Sequence, residues 1–146
     1  MSLEENKTIA RRFTEEAWAH PDILDGIAAT DLVWHGPERK GLESFKQFAS
    51  SWLAVFPDMR ATADDVIAEG DKVTVRWTFT ATQTGEWAGL LPTNRQAIWT
   101  GVAIYRIADG KVAEGWQWAD MMGAFRQLGV LPPWEELVER ANSKQA

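Results

Sequence analysis

Apolar residues recur at helical spacing near the start of the chain. They lie three or four residues apart, at Ile9, Ala10, Phe13 and Ala17. This spacing predicts an amphipathic helix with one buried face. Ser2 and Glu5 have the spacing of a capping box, which satisfies backbone N–H groups at a helix start. The first helix is therefore expected to begin at Ser2.

The next stretch predicts a short helix followed by a short strand. Pro21 suits the first turn of a helix, and the apolar residues after it, Ile23, Leu24 and Ile27, are expected to point inward. Residues 31–35 then indicate a strand that ends at Gly36-Pro37, because this dipeptide is typical of turns.

A third helix is predicted from about Leu42 to Phe56, where Pro57 stops it. One stripe of this helix carries its apolar side chains, at Phe45, Phe48, Ala49, Trp52 and Phe56. Such a stripe is typical of a helix that packs on a core.

From Met59 onward the apolar pattern alternates with a period of two, which indicates strands. Four strands are predicted, over residues 59–69, 72–82, 96–107 and 111–119. Gly70 and Gly110 lie in two of the connections, where a glycine permits the positive φ that tight hairpins need. The segment from Gly85 to Arg95 interrupts the alternation and is interpreted as a loop.

The order of elements, helices first and a meander of strands afterwards, is typical of the α+β class. We expect a single domain over residues 1–146, built as a curved antiparallel sheet wrapped by the N-terminal helices. Further helices are predicted at 121–128 and at 134–140. The core is expected over about residues 1–134, followed by a polar C-terminal tail that frays.

Charge and composition exclude several classes of protein. The net charge is −6 and no cluster of Lys and Arg is present, which argues against a nucleic-acid partner. The N-terminus lacks the pattern of a signal peptide and no apolar stretch is long enough to cross a membrane, so a cytoplasmic location without a membrane partner is expected. No cysteine and only two histidines leave little for a metal site, and no nucleotide-binding motif is present. We therefore expect no cofactor and no metal.

Nine tryptophans against one tyrosine are the unusual feature of the composition. They are interpreted either as core and interface residues or as the lining of a cavity for a flat apolar ligand, because a curved sheet leaves space beneath its covering helices. The substrate-binding candidates are Trp52, Phe56, Trp77, Trp99, Trp116 and Trp118. Trp87, with Leu90 and Leu91, is interpreted as a lid or as a loop tip that packs on itself.

Asp120 is the first candidate for catalysis. It follows Glu114, Trp116 and Trp118 at even spacing, so all four are expected on one face of the last strand. A carboxylate beside two indoles in a closed pocket suits a general acid or base. The alternative is that Asp120 caps the helix that begins at Met121.

His35 and Arg76 are further candidates. His35 ends the first strand, where its ring could bind a ligand carbonyl or could instead bond a structural turn. Arg76 is expected mid-strand on a solvated or interface face, with Glu114 as a cross-strand partner, rather than in a catalytic role.

The ordered set of short motifs resembles the SnoaL-like polyketide cyclases, within the nuclear-transport-factor-2-like superfamily. The resemblance covers nearly the whole chain. The motifs that carry it are Leu32-Val33-Trp34-His35, Gly36-Pro37, Phe56-Pro57-Asp58, Glu69-Gly70-Asp71-Lys72-Val73, Val75-Arg76-Trp77, Thr84-Gly85-Glu86, Pro92-Thr93, Tyr105-Arg106, Asp109-Gly110-Lys111-Val112, Glu114-Gly115-Trp116, Asp120, Gln127-Leu128-Gly129 and Pro132.

The resemblance implies a cofactor-free intramolecular aldol condensation that closes a ring on an aromatic polyketide. It assigns the general acid and base to Asp120 and an assisting role to His35. The leading hypothesis is an enzyme of cyclase or isomerase type acting on a small apolar or aromatic carbonyl compound. The alternatives are a non-catalytic ligand-binding or dimerisation module and a hydrolase that activates water with Asp120.

A homodimer is also expected, packed through the sheet face opposite the helices. Apolar and threonine side chains that need cover are predicted there, at Thr74, Thr78, Ile98, Val102 and Ile104. The family habit points the same way.

Overall fold

The computed structural model describes residues 2–146, which form a six-stranded curved sheet covered on one face by helices. The helices are α1 (Leu3–Glu16), α2 (Leu24–Ile27, entered through a 3₁₀ turn at Pro21–Ile23), α3 (Leu42–Val55), α4 (Met121–Gln127) and α5 (Trp134–Gln145). The strands are β1 (Ala28–His35), β2 (Arg39–Lys40), β3 (Arg60–Glu69), β4 (Lys72–Thr82), β5 (Gln96–Ala108) and β6 (Lys111–Ala119). The α+β class predicted from the sequence is confirmed.

The strand order in the sheet is β2-β1-β6-β5-β4-β3. Strands β3 to β6 form the antiparallel meander that the alternating pattern predicts. The first strand joins this meander at β6, and that pair runs parallel. The chain crosses from β1 to the far edge of the sheet through α3, so α3 lies over the concave face.

Local signals set most of the element boundaries. Ser2 and Glu5 form the predicted capping box, with the Ser2 hydroxyl accepting from the Glu5 backbone N–H at 3.1 Å. The β5–β6 hairpin turns through Asp109 and Gly110, both at positive φ, which is the geometry of a tight two-residue turn. Gly129, at φ +76°, follows α4 and ends it.

Two boundaries differ from the prediction by three residues or more, and the short strand β2 was not predicted. Strand β1 begins at Ala28 rather than Asp31, because Ala28 pairs with Val112 of β6. Helix α5 continues to Gln145, where fraying was expected from about residue 140. Apolar residues recur at helical spacing along α5, with charged residues between them. An ion pair between Arg140 and Glu136, 2.6 Å long, supports the helix on its surface.

The hydrophobic core lies between α1, α3 and the inner face of the sheet. Trp34 of β1 is fully buried, and its ring packs on Phe13, Phe45 and Tyr105, with ring centroids 4.9–6.4 Å apart. Burial of each such side chain contributes about 1.5–3 kcal/mol to folding. This core closes one end of the molecule, and the other end of the same interior is open.

Candidate functional site

A cavity of about 590 Å³ lies between the inner face of the sheet and helices α1 and α3. Pockets that bind small molecules span roughly 300–1,000 Å³. Its wall is mostly apolar and contains seven aromatic residues, Trp18, Phe48, Trp52, Trp77, Phe79, Trp87 and Trp99. The polar side chains that line it are Thr14, Arg39, Ser51, Glu86 and Gln117. The cavity can therefore enclose a flat ring system and contact a few of its oxygen atoms.

Regular secondary structure positions most of the aromatic wall. On α3, Phe48 and Trp52 lie four residues apart, and their rings meet edge to face at 6.4 Å. On the sheet, Phe79 of β4 is the direct cross-strand partner of Trp99 on β5, with ring centroids 4.7 Å apart. Helix periodicity and strand alternation thus bring the two aromatic surfaces face to face across the cavity.

Gly101 on β5 makes room for Trp77, which lies opposite it on β4. A Cβ atom on Gly101 would lie 2.3 Å from Cζ2 of Trp77 and 2.4 Å from the carbonyl oxygen of Trp118. No side chain larger than hydrogen fits there without movement. The glycine therefore allows the Trp77 ring to lie against the sheet and leaves the cavity open.

Gln83 fixes the loop that closes one side of the cavity. Its side chain is fully buried, and its amide nitrogen donates to the carbonyls of Gly85 at 2.9 Å and Leu91 at 3.3 Å. Its amide oxygen accepts from the Thr93 backbone N–H at 2.9 Å. One buried side chain thus holds both arms of the loop, and the alternating pattern gave no sign of this role.

Trp87 at the tip of that loop lines the cavity. Its ring packs on Trp52 at 5.2 Å, on Phe56 at 6.0 Å and on Phe125 of α4 at 5.3 Å. Leu91 in the same loop is 70% exposed. Trp87 therefore forms part of the cavity wall, whereas Leu91 faces solvent.

Thr14 and Tyr105 form a buried pair of hydroxyl groups beside the cavity, 2.9 Å apart. The Tyr105 side chain is fully enclosed, and this burial raises the pKa of its phenol. Because Thr14 is its hydrogen-bond partner, the phenol must donate to Thr14 or leave its proton unpaired in the core. Thr14 is also one of the residues that line the cavity, and when it accepts from Tyr105 its own hydroxyl proton remains available to another acceptor.

The structure brings together part of the predicted aromatic set. Trp52, Trp77 and Trp99 line the cavity. Phe56 lies one layer behind, where its ring stacks on Trp52 at 5.7 Å. Trp116 and Trp118 were also expected to face the cavity, but both lie on the outer face of the sheet.

A β-bulge accounts for the placement of those two tryptophans. Val112 pairs with Ile107 and Glu114 pairs with Arg106, so Ala113 is an extra residue in β6. Val112 is buried, and a regular strand would put the even-numbered residues after it on the same inner face. The extra residue reverses the phase. Gln117 and Ala119 therefore line the cavity, and Trp118 is 61% exposed outside.

Asp120 follows β6 and caps α4. Its Oδ1 accepts from the Gly123 backbone N–H at 2.9 Å, which is the helix-capping role considered as the alternative. The residue is exposed, and its two neighbours in the chain, Ala119 and Met121, both line the cavity. Asp120 thus lies at the rim, and the structure does not bring it close to His35.

His35 lies on the outer face of the sheet, stacked on Trp116 with ring centroids 5.1 Å apart. Its Nε2 is 2.7 Å from Oε2 of Glu114, and Arg106 donates to the other oxygen at 3.1 Å. The hydrogen bond with His35 lowers the pKa of Glu114; burial opposes it and Arg106 adds to it. This polar cluster joins β1, β5 and β6 on the face opposite the cavity.

Arg76 also faces outward, and its expected partner was wrong. Its guanidinium contacts Asp65 of β3 at 2.9 Å and Asp64 at 3.8 Å. Glu114 is two strands away from Arg76 and is bound by His35 and Arg106 instead. Arg76 therefore stabilises the β3–β4 pair through surface charges.

Within residues 2–146, no three His, Asp or Glu side chains cluster closely enough to hold a metal ion. No helix in that range is both long enough and apolar enough to span a bilayer.

Comparisons with known proteins agree with the architecture. The family model described as SnoaL-like polyketide cyclase matches residues 8–128. The nogalonic acid methyl ester cyclase of Streptomyces nogalater is 28% identical over 122 residues, covering 83% of this chain and 86% of the relative. The aklanonic acid methyl ester cyclase DnrD of Streptomyces peucetius is 30% identical over 102 residues, which is 68% of each chain.

Solved structures show the same fold. TsrD from Streptomyces laurentii superposes with a TM-score of 0.81 at 28% identity, covering 90% of this chain and 99% of that one. IdmH from Streptomyces antibioticus, described as a putative polyketide cyclase, has a TM-score of 0.74 at 30% identity, with 87% and 99% covered. Because the family model spans most of its length, the chain belongs to the SnoaL-like polyketide cyclase family.

Proposed function

We propose that the protein closes a ring in a flat, oxygen-rich aromatic polyketide by an intramolecular aldol condensation. The observation that carries this proposal is the aromatic cavity of about 590 Å³ with a few separated polar groups on its wall. Aromatic faces bind a planar ring system, and sparse polar groups fix its orientation. The relatives named as methyl ester cyclases support the same substrate class.

The proposed chemistry needs a base near a carbon beside a carbonyl and a donor to the enolate oxygen. The base takes a proton from that carbon, the enolate carbon attacks a second carbonyl of the same molecule, and the resulting alkoxide takes the proton back. No electrons are gained or lost overall. The hydroxyl of Thr14 is the proposed donor to the enolate oxygen, because Thr14 lines the cavity and keeps its proton when Tyr105 donates to it.

Asp120 is the proposed base. Its Oδ1 caps α4, whereas Oδ2 forms no hydrogen bond with residues 2–146 and is free to accept a proton. Its position between two cavity-lining residues, Ala119 and Met121, supports access from the rim. His35 lies on the other face of the sheet, and the proposal gives it no contact with the substrate.

The second candidate function is ligand binding without catalysis. The exposure of Asp120 and its capping bond to Gly123 favour this candidate, because a helix cap explains the residue without any chemistry. Both candidates use the same cavity, so only turnover separates them.

The test offers nogalonic acid methyl ester and the corresponding free acid as substrates and follows ring closure of each by liquid chromatography. Asp120→Asn still caps a helix but cannot take the proton, so turnover should fall at least about 100-fold. Asp120→Ser also keeps a capping oxygen, and its turnover should fall by the same factor. Both variants should unfold at the parent's urea midpoint. Full activity in Asp120→Asn would remove Asp120 from the mechanism. Saturable binding by the parent without any turnover would assign the binding-only function.

We also propose that the protein is a homodimer joined through the outer face of the sheet. Ile98 is 53% exposed and Trp118 is 61% exposed on that face, with Val102 and Ile104 beside them on β5. Trp118→Glu should convert a dimer to a monomer in sedimentation velocity at micromolar concentration. Trp134→Glu, at an equally exposed tryptophan on α5, is the matched control and should stay dimeric. A monomeric parent would refute the proposal. Loss of the dimer in Trp134→Glu but not in Trp118→Glu would assign the dimer contact to α5.

A further inference from the structure

Arg39 is the only cationic side chain that lines the cavity in the described range of residues. It lies on the two-residue strand β2, where Arg39 pairs with Trp34 of β1. Its guanidinium lies over the ring of Phe48, 5.2 Å from the ring centroid. Strand pairing and the aromatic contact together hold the charge at the cavity wall.

No carboxylate among residues 2–146 forms an ion pair with Arg39. The neighbouring acid, Glu38, is 3.5 Å from Lys40 instead. Glu86 also lines the cavity, but it is not within 4.0 Å of the guanidinium. The half-buried charge of Arg39 therefore has an aromatic neighbour and no anion.

This arrangement suits an anionic ligand. A guanidinium stays protonated at any pH the protein tolerates and presents a planar fork of N–H donors that matches a carboxylate. A partly desolvated cation gains from an opposite charge more than a fully hydrated one does. The net charge of −6 makes the protein as a whole repel anions, and among the described residues Arg39 is the positive charge on the cavity wall that opposes this repulsion.

We propose that the cavity takes a flat aromatic carboxylic acid whose carboxylate is bound by Arg39. This inference rests on the cavity binding in the proposed function but not on its aldol step. The two curated relatives described above are named for methyl esters, in which the same carboxyl group is capped and neutral. Arg39 would therefore select the free acid over the ester.

The experiment compares two probes, anthraquinone-2-carboxylate and its methyl ester, by isothermal titration calorimetry. They share a three-ring frame and differ in charge. The parent should bind the acid about tenfold tighter than the ester at low ionic strength, which corresponds to one charge-assisted hydrogen bond. The preference should shrink as salt is added, because the ion pair is partly exposed.

Arg39→Gln should abolish the preference, and Arg39→Lys, a second variant that keeps the charge, should retain part of it. Lys40→Gln is the matched control. It removes the same charge one residue away, from a side chain that is 77% exposed and does not line the cavity, so the preference should stay. Circular dichroism should be measured for each variant to check that it is folded.

Equal binding of acid and ester by the parent would overturn the inference, as would a preference that persists in Arg39→Gln or binding of neither probe. The outcome is separable from that of the proposed function. An Arg39-dependent preference without any ring closure would leave the inference standing and remove the cyclase proposal. Ring closure of the methyl ester by a protein that shows no preference for the acid would support the cyclase proposal and overturn the inference about Arg39.

Discussion

Replacing Gly101 with alanine tests whether a glycine beneath Trp77 keeps the cavity open. The new Cβ would lie 2.3 Å from Cζ2 and 2.7 Å from Cη2 of Trp77, and 2.4 Å from the carbonyl oxygen of Trp118. All three contacts are shorter than 3.0 Å. The indole can tilt into the cavity, but the Trp118 carbonyl belongs to the neighbouring strand and can move only with the sheet.

The magnitude follows from these contacts. Overpacking of a filled site costs about 1–3 kcal/mol, and the backbone contact places this site at the upper end. Alanine recovers about 0.5–1 kcal/mol, because it has less freedom than glycine to lose on folding. We expect Gly101→Ala to lower the free energy of unfolding by about 2 kcal/mol in urea titrations followed by tryptophan fluorescence. Gly26→Ala is the matched control: a Cβ there meets nothing within 4 Å, so its stability should change by less than about 1 kcal/mol.

A double-mutant cycle with Trp77→Phe separates the two contacts. The phenyl ring lacks the outer atoms of the indole that the new Cβ would meet, so Gly101→Ala should cost less in that background than in the parent. The difference measures the coupling between the two positions. An equal cost in both backgrounds, or no cost in the parent, would show that Trp77 does not lie over Gly101 and would refute the reasoning.

Two further predictions concern carboxylates that bind across strands and loops. The hydrogen bond with His35 lowers the pKa of Glu114 in the folded protein. The contribution of Glu114 to the free energy of unfolding is therefore fully present above the unfolded pKa of about 4.3, and it is lost as the pH falls through the lower folded pKa. Glu114→Gln should therefore lower the free energy of unfolding by about 1 kcal/mol at pH 7 and make it depend less on pH between pH 3 and 7. The same pH dependence in the variant and the parent, measured by urea titrations over that range, would contradict this. Burial raises the pKa of Asp58, but hydrogen bonds from the hydroxyl and backbone N–H of Thr82, both 2.7 Å long, outweigh it and hold that pKa below its usual value. Because Asp58 is exposed and solvent screens its charge, Asp58→Asn should lower the free energy of unfolding by only about 0.5 kcal/mol at pH 7 and by less near pH 3, whereas a loss independent of pH would indicate a packing effect alone.

The elements that the sequence predicted well are those set by local chemistry. The capping box at Ser2, the glycine at 110 in the last hairpin and the stripe on α3 each act within a few residues of where they stand. Pairing across long separations was not predictable in the same way. The parallel contact of β1 with β6 depends on the crossover through α3, and no short motif specifies it.

The polar residues of the site were missed for a related reason. Thr14, Arg39 and Gln117 come from three elements that are far apart in the chain, and each type is common on protein surfaces. Only the folded structure, in which the curved sheet packs against the helices, shows that they share a cavity. Arg39 lies two residues after the Gly36-Pro37 turn, and both residues of that turn line the cavity with it.

The phase of β6 shows how one residue decided which side chains reach the site. Ala113 is extra in the ladder, so its deletion should restore regular pairing while Val112 stays inside and Glu114 stays outside. Deletion of Gln117 also shortens β6 by one residue, but it would reverse the faces of residues on one side of the cut. We expect the Ala113 deletion to fold with a loss of no more than about 2 kcal/mol and to keep Trp118 open to acrylamide quenching. The Gln117 deletion should be unfolded or far less stable, because it would turn the bulky Trp118 into the cavity-facing position that Gln117 occupies. Equal stability of the two deletions would show that Ala113 is not the bulged residue, and the account of why Trp116 and Trp118 face outward would then fail.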